Sequence, residues 1–394
     1  MPIFKNRLKI LLYGCTNVAY RSENLIKLLL DHGYNISLIN PSFYGKEGIK
    51  KNILTRVICF KLVYKLIYKL IFIIEVLAKS AIADVIYLLP MNSNFINNIL
   101  LITRLFKKKL IVEPYISLYD TAVRDKKKAE EGSRICKMLK EKDRRVLTSP
   151  DYIIHISNCE IGYWEKLLNI NINREKIFIA PLFNEFNQSS IVLQRKFMQD
   201  GILRICWWGG CFPLHGLDNI LQAMSILKKK GLKFTCNLFG VANKYFYIYE
   251  KLIRLDDQLN KCISLRKDLK FSDSSLPAYL VDNCDLALGI FGSSDKALSG
   301  TPNKVLEALS MRIPTLTMNS PLIEEFFNSD VDLWTCEPSP ESIAEAVIAI
   351  VNGHTYPVNW EQTRQKVLNT FSLAHYRKIV NKVLRLVEDD LQKG

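Results

Sequence analysis

Twice along this chain a short apolar run meets glycine and then passes into an amphipathic helical pattern. Leu8-Lys-Ile-Leu-Leu-Tyr13 leads to Gly14, a polar loop from Cys15 to Ser22, a helical pattern from Asn24 to Leu30 and the run Asn35 to Ile39. Leu203-Arg-Ile-Cys-Trp-Trp208 leads to Gly209-Gly210, a loop through His215 and Gly216, a helix from Asn219 to Lys230 and the run Phe234 to Phe239. Such runs between turn residues suit strands buried on both faces, and the helices between them suit parallel crossovers. The fold class is therefore α/β, with two Rossmann-like units. A length of 394 residues also exceeds one ordinary core. We expect a first domain over 1–190, a second over 200–360 that faces it across a cleft, and a polar linker near 185–200. The amphipathic pattern within 361–394 reads as a C-terminal helix that packs back across the interface.

The formal charge of +15 calls for an anionic partner. The basic residues are dispersed and form no recognition motif, which argues against nucleic acid. Ten cysteines stand singly, without a CxxC pair, so they read as reduced packing residues of a cytoplasmic protein rather than as zinc ligands. No metal site or cofactor is expected. The glycine turns lack GxGxxG, which disfavours a dinucleotide oxidoreductase. No stretch is apolar enough to span a bilayer, and the run before Tyr13 is too short for a signal peptide.

Within the first domain, Gly14 and Asp120 lie just past C-terminal strand ends, where open α/β sheets bind ligands. Gly14 is expected in an acceptor loop; Asp120 is either a polar site residue or the cap of the next segment. His155, among apolar residues, reads as a core histidine. Residues 124–145 are densely charged and read as a solvated helix or loop. Lys61, Lys65 and Lys69 recur every fourth residue beside a wide apolar face. That pattern fits either an interfacial helix on an anionic membrane or a core helix with a lysine edge.

The stretch Ser299-Gly-Thr-Pro-Asn-Lys-Val-Leu-Glu307 has Thr301 as a potential cap and Pro302 for a first turn. Val305, Leu306 and Leu309 share one arc, with Asn303, Lys304 and Glu307 on the other side. A helix N-terminus with a lysine in its first turn can hold phosphate, and Glu307 can accept hydroxyl hydrogen bonds. The same pattern also describes an ordinary capped amphipathic helix. Asp330-Val-Asp332 has metal-motif spacing but reads as a surface coincidence.

Four segments in order resemble retaining glycosyltransferases of family 4. They are Gly209-Gly-Cys-Phe-Pro-Leu-His-Gly through Ala223, Leu238-Phe-Gly240, Asp285 to Gly292, and Pro302-Asn-Lys-Val-Leu-Glu-Ala-Leu through Thr315. The resemblance covers about 200–320 and implies the GT-B fold, a nucleoside-diphosphate sugar as donor, and a glycan or lipid-linked acceptor. It places Glu307 on ribose or sugar hydroxyls and the turn at Gly209 and Gly210 against the diphosphate. Gly240, Lys296, Thr301, Pro302, Asn303 and Lys304 join the donor site. His215 stands where the family usually has lysine, and an imidazole is only partly charged near neutral pH. Ser299 stands where the family often has a second glutamate. The expected activity is sugar transfer with retention at the cytoplasmic face of a membrane, in surface polysaccharide synthesis. The alternative is a weakly catalytic subunit that binds sugar nucleotide and supports a partner enzyme.

Overall fold

The structure, a computed structural model, describes residues 8–41, 58–114, 116–125, 127–183, 192–193, 196–329 and 331–393. Most of the expected linker and Asp330 lie outside these residues. The chain forms two units, Met1–Ile156 with Trp164–Ala180 and Tyr376–Gly394, and Ser157–Tyr163 with Pro181–His375.

The N-terminal unit runs β1 (Lys9–Tyr13), α1 (Tyr20–Asp31), β2 (Asn35–Ile39), α2 (Ile58–Ile82), β3 (Val85–Leu88), α3 (Ile96–Phe106), β4 (Lys109–Val112), α4 (Arg134–Thr148), β5 (Tyr152–His155), α5 (Asn158–Leu168), whose residues up to Tyr163 count with the other unit, and β6 (Ile177–Ile179). Its six parallel strands are ordered β2-β1-β3-β4-β5-β6. All four residues of β3 and all but the first of β1 are buried, as the continuous apolar runs require.

The C-terminal unit runs β7 (Leu203–Gly209), α6 (Leu217–Lys229), β8 (Phe234–Gly240), α7 (Lys244–Leu255), β9 (Ile263–Arg266), α8 (Ser275–Asn283), β10 (Leu286–Leu288), α9 (Asp295–Ser299), α10 (Asn303–Ser310), β11 (Thr315–Met318), α11 (Pro321–Phe326), β12 (Trp334–Cys336), α12 (Pro340–Val351) and α13 (Trp360–Thr370). Its parallel order is β12-β11-β10-β7-β8-β9. From β7 the chain winds outward to β9 and then returns to β10 on the other side of β7. That reversal opens a crevice at the C-terminal ends of β7 and β10, the place where doubly wound sheets bind ligands.

The stretch from 361 holds two helices, the end of α13 and then α14 (Leu373–Lys393), separated at Phe371 and Ser372. Tyr376, Val380, Val383, Leu384 and Val387 of α14 are buried at helical spacing. The helix packs on the N-terminal unit: the Tyr376 hydroxyl donates to Glu113 over 3.0 Å, and the Tyr152 hydroxyl donates to Asp390.

Three local expectations are corrected. The segment 124–145 is not wholly solvated. Asp143 is fully buried on α4 and accepts from the Ser117 hydroxyl and the N–H groups of Leu118 and Tyr119, while burial pushes its carboxyl up to about 6. Asp332 is buried rather than a surface coincidence; it accepts from the Asn328 N–H and ion-pairs with Lys366. Thr301 does not cap α10. Pro302 occupies the flanking position, and the helix's first bonds run from Val305 and Leu306 N–H to the Pro302 carbonyl.

Candidate functional site

Consecutive strand residues point to opposite faces, so β7 sends Trp207 and Trp208 apart. Trp207 enters the core shared with α6 and α12, where its indole N–H donates to the Gly289 carbonyl over 3.1 Å. Trp208 enters the core on the other face, where its N–H donates to Glu307 Oε2 over 2.6 Å. Helix α10 has that reach because it is buried on two sides. Val305, Leu306 and Leu309 pack with Val367 and Phe371, while Ala308 packs with Cys206 and Trp208.

Lys304 is therefore not on a solvated front. It is 6% exposed, and its amine sits 4.0 Å from the centre of the Trp207 ring. Gly209 ends β7 with φ +145, and a Cβ there would stand 3.1 Å from Lys304 Nζ and 3.5 Å from the His215 ring. Among the described residues Nζ has no hydrogen-bond partner. An ammonium group carries three donors and is costly to bury unpaired. Burial accordingly pushes the Lys304 amine down to about 7, against the opposing pull of the Glu307 carboxylate. Burial in turn pushes the Glu307 carboxyl above its ordinary value, opposed by the Trp208 N–H and by Lys304.

His215 differs from expectation in charge. Burial first, and then the charge of Lys304, push it down to about 3. It is a neutral imidazole at neutral pH. Its Nδ1 also lacks a hydrogen-bond partner among the described residues, so which nitrogen holds the proton is left for a ligand to decide. The ring lies in a turn, Pro213–His215, that leads through Gly216 into α6. Gly216 has φ +67, and a Cβ there would come within 2.2 Å of the Phe291 carbonyl. Gly216→Ala is expected to destabilise the chain by about 3 kcal/mol, combining backbone strain with a forced displacement; urea unfolding measures it.

These groups line a cavity of about 810 Å³ within the C-terminal unit, large enough for a nucleotide-sized ligand. Gly209, His215, Gly240, Lys296, Thr301, Pro302, Asn303, Lys304 and Glu307 all contribute to its wall. Gly210 does not line it; its carbonyl accepts from Asn243 Nδ2 over 2.6 Å. Gly14 and Asp120 belong to the N-terminal unit. Gly14 has φ +137 beside the Asn92 side chain, which accepts from Cys15 N–H. Asp120 is buried, its N–H donating to the Ser117 hydroxyl. His155 is a buried core residue beside Trp164. Ser299 is buried too, and its hydroxyl donates to the Asp295 carbonyl over 2.7 Å. That proton is used within its own helix.

Sequence reasoning missed Trp208, Lys267, Lys270 and Phe271, which also line the cavity. Trp208 adjoins the glycine turn, and an indole next to such a turn was a usable signal. The loop after β9 carries no spacing that marks Lys267 or Lys270. The wall thus has four lysines and one carboxylate, with an apolar flank from Val241, Ala242, Leu269 and Phe271. Such a cavity can hold a polyanion that also carries a flat, weakly polar group.

No family model matches the chain, and no curated protein matches it in sequence. Solved structures do match its shape. Sucrose-phosphate synthase from Thermosynechococcus elongatus superposes with a TM-score of 0.66 at 11% identity, covering 98% of this chain and 100% of that one. A glycosyltransferase from Rickettsia africae gives 0.63 at 14% identity, covering 97% and 99%. HepE from Anabaena, solved with UDP-glucose, gives 0.59 at 12% identity, covering 96% and 99%. At such identities the likeness speaks for the fold: two parallel six-stranded sheets, with the last helix returned to the first unit, are the GT-B fold.

Proposed function

We propose that this chain is a glycosyltransferase that takes a sugar from a nucleoside-diphosphate sugar and transfers it to a glycan or lipid-linked acceptor with retention. The observation that carries this reading is the buried Lys304 amine, which has no hydrogen-bond partner among the described residues and is set against Gly209 at the crevice between β7 and β10. A diphosphate supplies the acceptors that this amine lacks. The first N–H groups of α10, which precede its own hydrogen bonds, add partial positive charge. The UDP-glucose of the Anabaena protein, bound on the same fold, supports a ligand of that class.

When the bond between the sugar and the diphosphate breaks, negative charge grows on the departing oxygen. Lys304 and the α10 N-terminus stabilise that charge more in the transition state than in the ground state. Glu307, held by Trp208, accepts hydrogen bonds from ribose or sugar hydroxyls. The acceptor oxygen attacks the face from which the diphosphate leaves, and its proton passes to a diphosphate oxygen. Gly14 belongs to the acceptor loop in this reading, and Asp120 is its candidate catalytic residue in the N-terminal unit. Its setting is the cytoplasmic face of a membrane, in surface polysaccharide synthesis.

A second reading rests on Ser299. A serine instead of a glutamate leaves no second carboxylate at 299, and its hydroxyl is committed to the Asp295 carbonyl, which suits a subunit that binds donor but turns it over weakly. Release of nucleoside diphosphate from UDP-, GDP-, ADP- and dTDP-sugars by the purified chain, with water or an added sugar as the glycosyl acceptor, separates the two. The first reading expects turnover of at least one donor and a loss of about 100-fold in Glu307→Ala. Binding without turnover supports the second, and neither binding nor turnover rejects both.

A further inference from the structure

The longest helix of the N-terminal unit wears its large aliphatic side chains on the outside. Leu66, Leu70 and Ile74 of α2 are 61%, 58% and 57% exposed, and Ile67, Ile71 and Leu77 are exposed beside them. At about 100° per residue, these six positions fall within an arc of about 140°. Val76 and Ser80, on another side of the helix, are buried against the unit. Next to α2 lies α3, with Leu101 71% exposed and Leu105 exposed as well. Scattered apolar residues on a surface are ordinary, whereas a continuous aliphatic stripe on one helix marks a surface that something covers.

The surrounding charge identifies what covers it. Among the described side chains, α2 and α3 carry Lys69, Lys79 and Arg104, and Lys107 and Lys108 follow directly. The acid on these two helices is Glu75, and Lys79 ion-pairs with it. Against a chain of net charge +15, a second copy would set positive charge against positive. No described helix is long and apolar enough to cross a membrane, so α2 is a helix that lies along a surface rather than one that spans it.

We propose that α2 docks the chain on an anionic lipid bilayer, its outward aliphatic arc seated at the boundary of head groups and acyl chains. The contact differs from the one expected from the lysine spacing. Lys69 is exposed but stands outside the aliphatic arc, and the side chains of Lys61 and Lys65 lie outside the described ones. Basic residues near the arc draw the helix toward anionic head groups over a Debye length of about 8 Å. The aliphatic arc then supplies the part of the affinity that salt does not screen. Docking of α2 is independent of what the cavity in the C-terminal unit binds.

The test is co-sedimentation of the full chain with vesicles of mixed phosphatidylglycerol and phosphatidylcholine, beside vesicles of phosphatidylcholine alone. The wild type is expected to sediment with the anionic vesicles and to bind the neutral ones at least about tenfold more weakly. Leu70→Glu/Ile74→Glu changes two exposed side chains and is expected to lower binding to anionic vesicles at least about tenfold with unchanged thermal unfolding. Leu66→Gln/Ile67→Gln, uncharged and also on the arc, is expected to weaken binding in the same direction. Lys69→Glu is expected to cost only about two- to fivefold, and that loss should shrink in high salt. Wild type that stays in the supernatant overturns the proposal, as do arc variants that bind like wild type. A wild-type dimer that becomes monomeric in the arc variants, without vesicle binding, assigns the stripe to a second copy and also overturns it.

Discussion

Lys304→Met is expected to make the unliganded chain more stable and to weaken nucleoside-diphosphate binding by about 100-fold, or about 2.7 kcal/mol. The two effects have opposite signs because one group causes both. Without ligand the amine is buried with no acceptor among the described residues, a cost that a thioether of similar shape removes. With a diphosphate present, the same amine becomes one half of a desolvated charge pair. Thermal unfolding should show a rise of roughly 3 °C in Tm for the variant. Titration with nucleoside diphosphate should show the loss of affinity. A merely structural lysine would lower both quantities or neither.

The pH dependence follows from the same group. Its folded value of about 7 lies below the ordinary lysine value of about 10.4. The unfolded chain therefore holds more protons between these limits, and this group's contribution to stability rises with pH from about 7 to 10. Nucleotide affinity moves the other way. A diphosphate needs the ammonium form, so binding takes up a proton, and affinity should fall about tenfold per unit between pH 7 and 9. Of the facing groups, His215 and Cys211 do not supply this transition: His215 is held near 3 and burial pushes Cys211 up to about 11, while burial raises the Glu307 carboxyl above its ordinary value. The slope should vanish in Lys304→Met.

Arg21→Leu is expected to cost about 3–5 kcal/mol of stability, enough to unfold much of a marginal domain near its working temperature. Arg21 and Glu113 are both fully buried and meet at 2.7 Å. The arginine donates to the Ala180 carbonyl through both terminal nitrogens and lies 4.3 Å from the centre of the Tyr376 ring. Glu113 accepts from the Tyr87 and Tyr376 hydroxyls. One network thus ties α1, β3, the ends of β4 and β6, and α14 together. Removing one charge strands the other in a low-dielectric interior. Arg21→Leu/Glu113→Leu leaves no unpaired charge, so it should recover a large part of the loss in urea unfolding. Full additivity of the two single losses would contradict the pairing.

The parallel sheets were legible because buried strands need continuous apolar runs, and both first strands, 8–13 and 203–208, carry them. The crevice was legible from the glycines that follow. Residues whose role depends on distant contacts were not. On a helical wheel Lys304 joins Asn303 and Glu307 as a polar front, yet α10 packs on two sides and the lysine is covered by Trp207 and Gly209, nearly a hundred positions away. His215 reads as partly charged until its burial beside that amine is known. Asp143 sits in a charged stretch, and only the folded chain brings three donors from 117–119 to its carboxylate. Lys267 and Lys270 reach the cavity by a loop path that no periodicity encodes.

Calorimetric titration of the purified full chain with UDP, GDP, ADP and dTDP at pH 7 tests whether a diphosphate sits on the buried Lys304 amine. At least one should bind with micromolar affinity, with proton uptake that differs between buffers of different ionisation enthalpy and is absent in Lys304→Met. No binding by any of the four at millimolar concentration, or binding that Lys304→Met leaves unchanged, would contradict the placement of a diphosphate on the buried amine.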